Sequence, residues 1–498
     1  MQRPCDHLLM STSVLVAKKD SVSRHIARTN LLFFFSFAVQ ALRGFVLIPL
    51  FLKFIGVIEY GRWVLVMSWT SYAFVIVLLA LDTSVFQYVT PHVATPRGRS
   101  IYWTIVRVFF MWLLSLLALA VAGSLLFVSG RYQLIVIFCI LYAAGQAIWT
   151  IFLSPFRCVE RTSVYFFINS LITFGDLCVT VMILYFTRNV TDILGALAIY
   201  NISVGAALCV VQLRHFPPAS PLREAVRPGV EFGGSMMLTR LITTGFYVLD
   251  KSIVTVFSGL SAVAAYAPPM SMAQMLTPLN ASGAITLPTL LVKHEVRDSE
   301  NLKRQILMSA LKQWCLLAFP ATVGIALVAR PVLEIIATHS IAVIGAPIAG
   351  IASLAILADG ISNFAQTVLR AEGDIKSTTL MKTAHFFAFL VVAIALSSVM
   401  PKNACYIVAL SLLAVNFSYA AWCLVRLHKY IHHAISLREL MSPLSGTAAM
   451  LAVAAAAPRI NSILSLIGFI IVCAICYAIV IARLEHVTLR GLRNLLIG

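Results

Sequence analysis

Arg240, Thr244, Tyr247 and Lys251 stand at i, i+4, i+7 and i+11 of an otherwise apolar stretch, LTRLITTGFYVLDKSIV (238–254). At about 100° per residue this spacing collects two cations, a hydroxyl and a phenol on one face of a helix. An arginine fork takes phosphate or carboxylate through paired N–H bonds, so such a face suits recognition of an anion. Three more stretches repeat the device. Ser36, Gln40 and Arg43 fall on one face, as do Asn169, Thr173, Asp176 and Thr180, and as do Asp359, Asn363, Gln366 and Arg370. Scattered structural polar residues would seldom align four times. By contrast, no His, Cys, Asp or Glu group has metal-ligand spacing, and the Cys473/Cys476 pair has no second ligand pair. The expectation is a binding protein with no catalytic residue, no metal and no resident cofactor.

Four polar stripes need helices to carry them, and the composition supplies the medium. Of 498 residues, 60% are hydrophobic and 11% are charged, against about 25% charged in an ordinary globular chain. Mean hydropathy is +0.93. This is the composition of a membrane protein. Apolar runs long enough to cross a bilayer recur almost throughout, and they predict fourteen helices: 31–52, 63–82, 104–128, 133–155, 163–186, 193–213, 232–257, 263–291, 305–329, 343–369, 378–399, 404–425, 442–457 and 461–482.

The formal charge of +18 reads as topology and not as a nucleic-acid footprint. About 24 of the 37 basic residues fall in alternate connections, starting with Arg3, Lys18, Lys19, Arg24 and Arg28 and ending with Arg483, Arg490 and Arg493, and about seven fall in the others. Both termini are therefore expected in the cytoplasm. Residues 1–29 lack a small-residue cleavage site after LLMSTSVLVA and read as a cytoplasmic tail. The Pro-rich 215–231 segment follows six helices and divides the chain into a lobe at 30–214, a linker, a lobe at 232–427 and an extra helix pair with a tail at 428–498. An all-α polytopic protein with two six-helix lobes around a central cavity is the fold this predicts. No P-loop pattern is present, and the short outside connections leave no room for a catalytic domain.

Intramembrane charges cost about 2.5–3.5 kcal/mol each on insertion scales and are kept where they face protein or a wet cavity. Arg43, Arg240, Asp176 and Asp359 lie deepest by residue count. Lys53, Arg370 and Lys382 lie near helix ends, where snorkelling accounts for them. Asp250 beside Lys251 has a simple structural reading as an ion pair.

Five quotable stretches carry a family likeness. IPLFLKFIGVIEYGRWVLVMSW (48–69), LALDTSVFQYV (79–89), FRCVERTSVYFFINS (156–170), VLDKSIVTVFSGLSAVAAYAPPMSMAQ (248–274) and VLRAEGDIKST (368–378) resemble, in order and spacing, the polysaccharide and O-antigen flippases of the multidrug/oligosaccharidyl-lipid/polysaccharide exporter superfamily. The likeness covers about residues 30–425. Where that family often has Leu-Asp-x-Gly, this chain has Leu81, Asp82, Thr83 and Ser84, and the adjacent Pro268 and Pro269 are unusual.

The resemblance implies a flippase that carries an oligosaccharide on a polyprenyl pyrophosphate across a bacterial inner membrane by alternating access. It also implies membrane lipid as surroundings and a polysaccharide polymerase and export proteins as partners. A pyrophosphate needs cations inside hydrocarbon, and Arg43, Arg240 and Lys251 are the candidates, with Gln40, Asn169, Thr173, Tyr247, Asn363 and Gln366 as partners for sugar hydroxyls. Asp176 and Asp359 would repel such a cargo unless neutralised. They are expected to carry a coupling H+ or Na+, or to pair with Arg43 or Arg240 while the cavity is empty. An ion-coupled multidrug exporter of the same superfamily is the alternative. A membrane-embedded polymerase or glycosyltransferase is the less favoured reading, because it would need a sizeable loop carrying catalytic acid or base groups and the outside connections are short.

Overall fold

In hydrocarbon a spanning segment must satisfy every backbone N–H and C=O internally, and apolar runs of this length do so as helices. The computed structural model describes residues 43–93, 95–128, 130–159, 162–280, 300–371, 374–428, 437–456 and 462–484, and among them it is all-helical. We number the helices α1 (43–54), α2 (Gly56–Leu78), α3 (Leu81–Val89), α4 (Pro96–Phe127), α5 (Gly130–Cys158), α6 (Thr162–Thr187), α7 (Val190–His215), α8 (Val226–Ser258), α9 (Leu260–Gln274), α10 (Glu300–Ile336), α11 (His339–Ala371), α12 (Ile375–Val399), α13 (Ala404–His428), α14 (Leu437–Ala456) and α15 (Ile463–Leu484). Among the described residues, eleven helices are long and apolar enough to cross a membrane. The chain is a multi-pass membrane protein. Leu119, Phe186, Val399 and Leu464 lie exposed, an arrangement that hydrocarbon favours and water does not.

The helices gather in two lobes. In the first, α5 packs along α7 and α2, and Tyr102, Phe109, Ile151 and Phe152 form a buried core. In the second, α11 lies against α9, α10 and α13 around Tyr266, Ile356 and Phe389. The last pair, α14 and α15, packs on α10 of the second lobe, where the Tyr477 hydroxyl donates to the Leu316 carbonyl at 2.7 Å.

The lobes open alike. Gly56 (φ 83°) turns α1 into α2, and Gly259 (φ 82°) turns α8 into α9. Both values lie in the region that a Cβ disfavours. The lobes then touch at both ends of the molecule. A Cβ added at Gly61 of α2 would fall 2.1 Å from the Leu260 carbonyl oxygen, and one added at Gly233 of α8 would fall 2.8 Å from that of Leu79. Glycine at these points lets one backbone rest on another.

Several expected boundaries need correction. The second helix, expected over 63–82, begins at Gly56 and breaks after Leu78. Leu79 and Ala80 are both left-handed, at φ 50°, a conformation that costs a non-glycine residue about 1–2 kcal/mol. Neither Gly nor Pro marks the break, so tertiary contacts hold it: the Ile76 carbonyl accepts the Leu79 backbone N–H at 3.3 Å and, from α4, the Trp112 indole at 3.0 Å. The 215–231 linker is also shorter than expected, because α8 begins at Val226. Pro228 sits in its first turn, where a missing N–H leaves no intrahelical bond unmade. The expected 263–291 helix begins at Leu260 and breaks at Met275 and Leu276, and residues 281–299 lie outside the described ones.

Candidate functional site

Walls come first. On α8, Thr244, Tyr247 and Lys251 face α1 and α2 across a cavity of about 290 Å³ between the lobes, with Tyr60, Trp63, Met67 and Ser71 opposite and Ser271 and Gln274 closing one side. The helical spacing of the opening stripe therefore does place three of its four residues on one concave surface. Lys251 is buried there. Its ammonium donates to the Tyr247 carbonyl and stands 3.5 Å from Asp250. Asp250 is fully buried and accepts from the Tyr266 hydroxyl at 3.1 Å and the Lys251 backbone N–H at 2.6 Å. Charge on this wall is thus balanced within the helix.

One turn further along α8, Arg240 leaves the wall and crosses to the other lobe. Nη1 donates to Asp82 Oδ1 at 2.8 Å and Nη2 to Oδ2 at 3.1 Å, and Nη2 also donates to Thr83 Oγ1 at 2.7 Å. Asp82 and Thr83 open α3, immediately after the break that ends α2. A carboxylate in a first turn meets the positive end of the helix dipole, which favours it at that position. Two further bonds join the same elements: Ser84 Oγ donates to the Gly229 carbonyl at 2.9 Å and the Tyr88 hydroxyl to that of Pro228 at 3.4 Å. Arg240, Asp82 and Thr83 are not among the cavity-lining residues. Their contact lies one helical turn beyond the lining Thr244, toward the end of the molecule that carries Arg97, Arg99 and Arg223, and we call it the floor.

Arg43 sits at the start of the described part of α1, beside the cavity-lining Gly44. Its Nη1 donates to Asp176 Oδ2 at 3.0 Å. Asp176 of α6 also accepts from Asn201 Nδ2 of α7 at 2.8 Å and from the Tyr142 hydroxyl of α5 at 3.3 Å. Four helices of the first lobe therefore converge on one carboxylate, so removing it would leave the part-buried Arg43 unpaired. Asn169 and Thr173 are buried on the same helix, with Thr173 Oγ1 donating back to the Asn169 carbonyl at 2.9 Å. They lie inside the first lobe and are not among the cavity-lining residues.

The α11 stripe forms a chain of its own in the second lobe. Gln366 donates to Asn363 at 3.4 Å, Asn363 donates to Asp359 at 3.1 Å, and the Lys382 ammonium lies 4.0 Å from Asp359. These residues too are absent from the cavity lining. Gln40 lies outside the described residues.

Of the residues expected to share one cavity, the structure brings Tyr247 and Lys251 to the wall and Arg43 and Arg240 to its margins. It distributes Asn169, Thr173 and Asp176 to the first lobe and Asp359, Asn363 and Gln366 to the second. Periodicity assigns a residue to a face of its own helix, and it does not say which neighbour that face meets. Asp82 carries as much of the site as Arg240, yet it enters the sequence reading only as part of a Leu-Asp step. An acidic residue inside an apolar run was the available signal. Among the described residues no group of His, Cys, Asp or Glu is arranged to hold a metal.

No family model and no curated protein sequence matches the chain. Solved structures do match. The lipid II flippase MurJ in an inward closed conformation superposes with a TM-score of 0.70 at 13% identity, covering 92% of this chain and 99% of that one. A multidrug resistance MATE family transporter of the MOP superfamily, inward-facing, gives 0.60 at 13% identity over 78% of this chain and 95% of the other. A MOP superfamily transporter from Pyrococcus furiosus gives 0.60 at 12% over 82% and 96%. The chain therefore has the two-lobed fold found in these transporters.

Proposed function

We propose that the protein is a transporter that moves an anionic, lipid-linked oligosaccharide, a polyprenyl-pyrophosphate repeat unit for surface polysaccharide, across a bacterial inner membrane. The observation that carries this reading is the arginine fork of Arg240 at the floor of a cavity between two lobes, engaged by a carboxylate that a phosphate can replace. The positive-inside skew orients the floor toward the cytoplasm and both termini with it. Rocking of the lobes about the cavity alternates access, and the lipid tail stays in the bilayer. Asp176 and Asp359 are the proposed sites of H+ or Na+ coupling. A polysaccharide polymerase and export proteins would take the product.

The cavity volume and lining favour a second reading. Tyr60, Trp63, Met67 and Tyr247 give a small aromatic wall, and the cations near it already have carboxylate partners. A cationic or apolar drug suits such a surface, and several of the solved structures that share the fold are MATE transporters. Complementation separates the two. A flippase-deficient bacterium making a lipid-linked glycan regains surface polymer on the first reading, and a drug-sensitive strain regains resistance on the second.

A further inference from the structure

We propose that Asp82 is a built-in competitor for the cargo's phosphate: the anionic headgroup takes the Arg240 fork, releases Asp82, and thereby unfastens the two lobes at the floor. This rests on the reading of an anionic lipid-linked cargo and gives that site its trigger.

Geometry carries the inference. Asp82 offers Arg240 two oxygens at 2.8 and 3.1 Å, and Thr83 adds a third at 2.7 Å. Three oxygens around one guanidinium edge are what a phosphate group presents, so the pair is a stand-in for that ligand. Exposure is unequal: the Arg240 side chain is 38% exposed and that of Asp82 is 10%. An incoming anion therefore reaches the arginine before the carboxylate. The cation belongs to α8 of the second lobe and the carboxylate to α3 of the first, so exchanging one acceptor for the other cuts a bond between lobes. Beside the packing of Gly233 on Leu79 and of Phe232 on Tyr88, the other hydrogen bonds at the floor are hydroxyl–carbonyl bonds from Ser84 and Tyr88. Such bonds are weaker than a charge-assisted fork. α3 is packed into the core of the first lobe through Leu81, Val85 and Val89, so losing the bond at Asp82 loosens that lobe as a body from α8. Binding energy is thus converted into release of the floor, and an uncharged lipid cannot trigger it.

A lock that hides the fork lowers apparent affinity by the fraction of molecules unlocked. The test measures binding of geranylgeranyl diphosphate and of uncharged geranylgeraniol to the purified full-length protein. Asp82→Asn is expected to tighten diphosphate binding about tenfold, with geranylgeraniol unchanged. Arg240→Gln is expected to weaken the diphosphate by a similar factor, and Thr83→Ala, a milder change, to tighten it less than Asp82→Asn. If Asp82→Asn and Thr83→Ala leave diphosphate affinity as in wild type while Arg240→Gln weakens it, competition is overturned and the anionic-cargo reading survives. If wild type binds the diphosphate no better than geranylgeraniol, both fall together.

Discussion

Arg240 of α8 and Asp82 of α3 meet across the boundary between the lobes through a two-point fork at 2.8 and 3.1 Å. Such a pair resists the removal of either member more than the removal of both, because one partner left alone in a poorly solvated site has lost its compensation. Arg240 is part-exposed, so the effect is smaller than at a fully buried pair. Asp82→Ala and Arg240→Met are each expected to lower the Tm of the purified protein. The double variant should lie closer to wild type than the sum of the two, with a coupling of about 1–2 kcal/mol. Strict additivity would mean the two side chains do not act together.

Glycine at the two lobe contacts predicts opposite openings. A Cβ at Gly61 would meet the Leu260 carbonyl at 2.1 Å, and a Cβ at Gly233 the Leu79 carbonyl at 2.8 Å. Backbone cannot yield as a side-chain tip can, so each alanine forces its own end apart, and strain of about 1–3 kcal/mol shifts the population roughly 5- to 150-fold. With Ser71→Cys as a reporter inside the cavity, Gly61→Ala should raise labelling by an impermeant thiol reagent from the outer side. Gly233→Ala should raise it from the cytoplasmic side. Equal labelling from both sides in both variants would show that these contacts do not seal the cavity.

Asp176 is the meeting point of Arg43, Tyr142 and Asn201. Tyr142→Phe removes its longest bond and should cost about 1 kcal/mol of stability. Asp176→Ala strands Arg43 and should cost about 3–5 kcal/mol, which thermal unfolding in detergent would register as a clear fall in Tm. If Asp176 and Asp359 hold the coupling ion, Asn at both positions removes the response of transport to the H+ or Na+ gradient. Undiminished gradient dependence in that double variant would end the coupling assignment.

The helix pair α14 and α15 is tied to α10 by the Tyr477–Leu316 bond, and its two members to each other by the fit of Gly446 against the Tyr477 ring. Tyr477→Phe should lower stability by about 1 kcal/mol with transport retained. Loss of transport at normal expression would give this pair a role beyond packing.

Membrane character and an all-helical, two-lobed architecture were legible because hydrocarbon leaves the backbone few options. The stripe of Thr244, Tyr247 and Lys251 was legible because a helix repeats its faces regularly. Partnership was legible only in part: a pairing of Arg43 with Asp176, 133 residues away, was among those the deep charges offered, whereas the partner of Arg240, Asp82, 158 residues away, was not. The break at Leu79 and Ala80 was equally hidden, because Trp112 and the neighbouring lobe hold it and no local turn chemistry announces it. Short apolar periodicity records what each helix turns inward, and the identity of what it meets there is decided by packing between distant segments.

The central claim is that the floor must open for cargo to move, and a reversible crosslink tests it most directly. Ser84 and Gly229 are bonded across the lobes at 2.9 Å, so Ser84→Cys with Gly229→Cys places two thiols at that contact. In proteoliposomes carrying a fluorescent polyprenyl-diphosphate oligosaccharide, oxidation is expected to stop translocation and a reductant to restore it, with each single cysteine variant indifferent to both. Translocation that continues unchanged in the crosslinked protein would contradict the account.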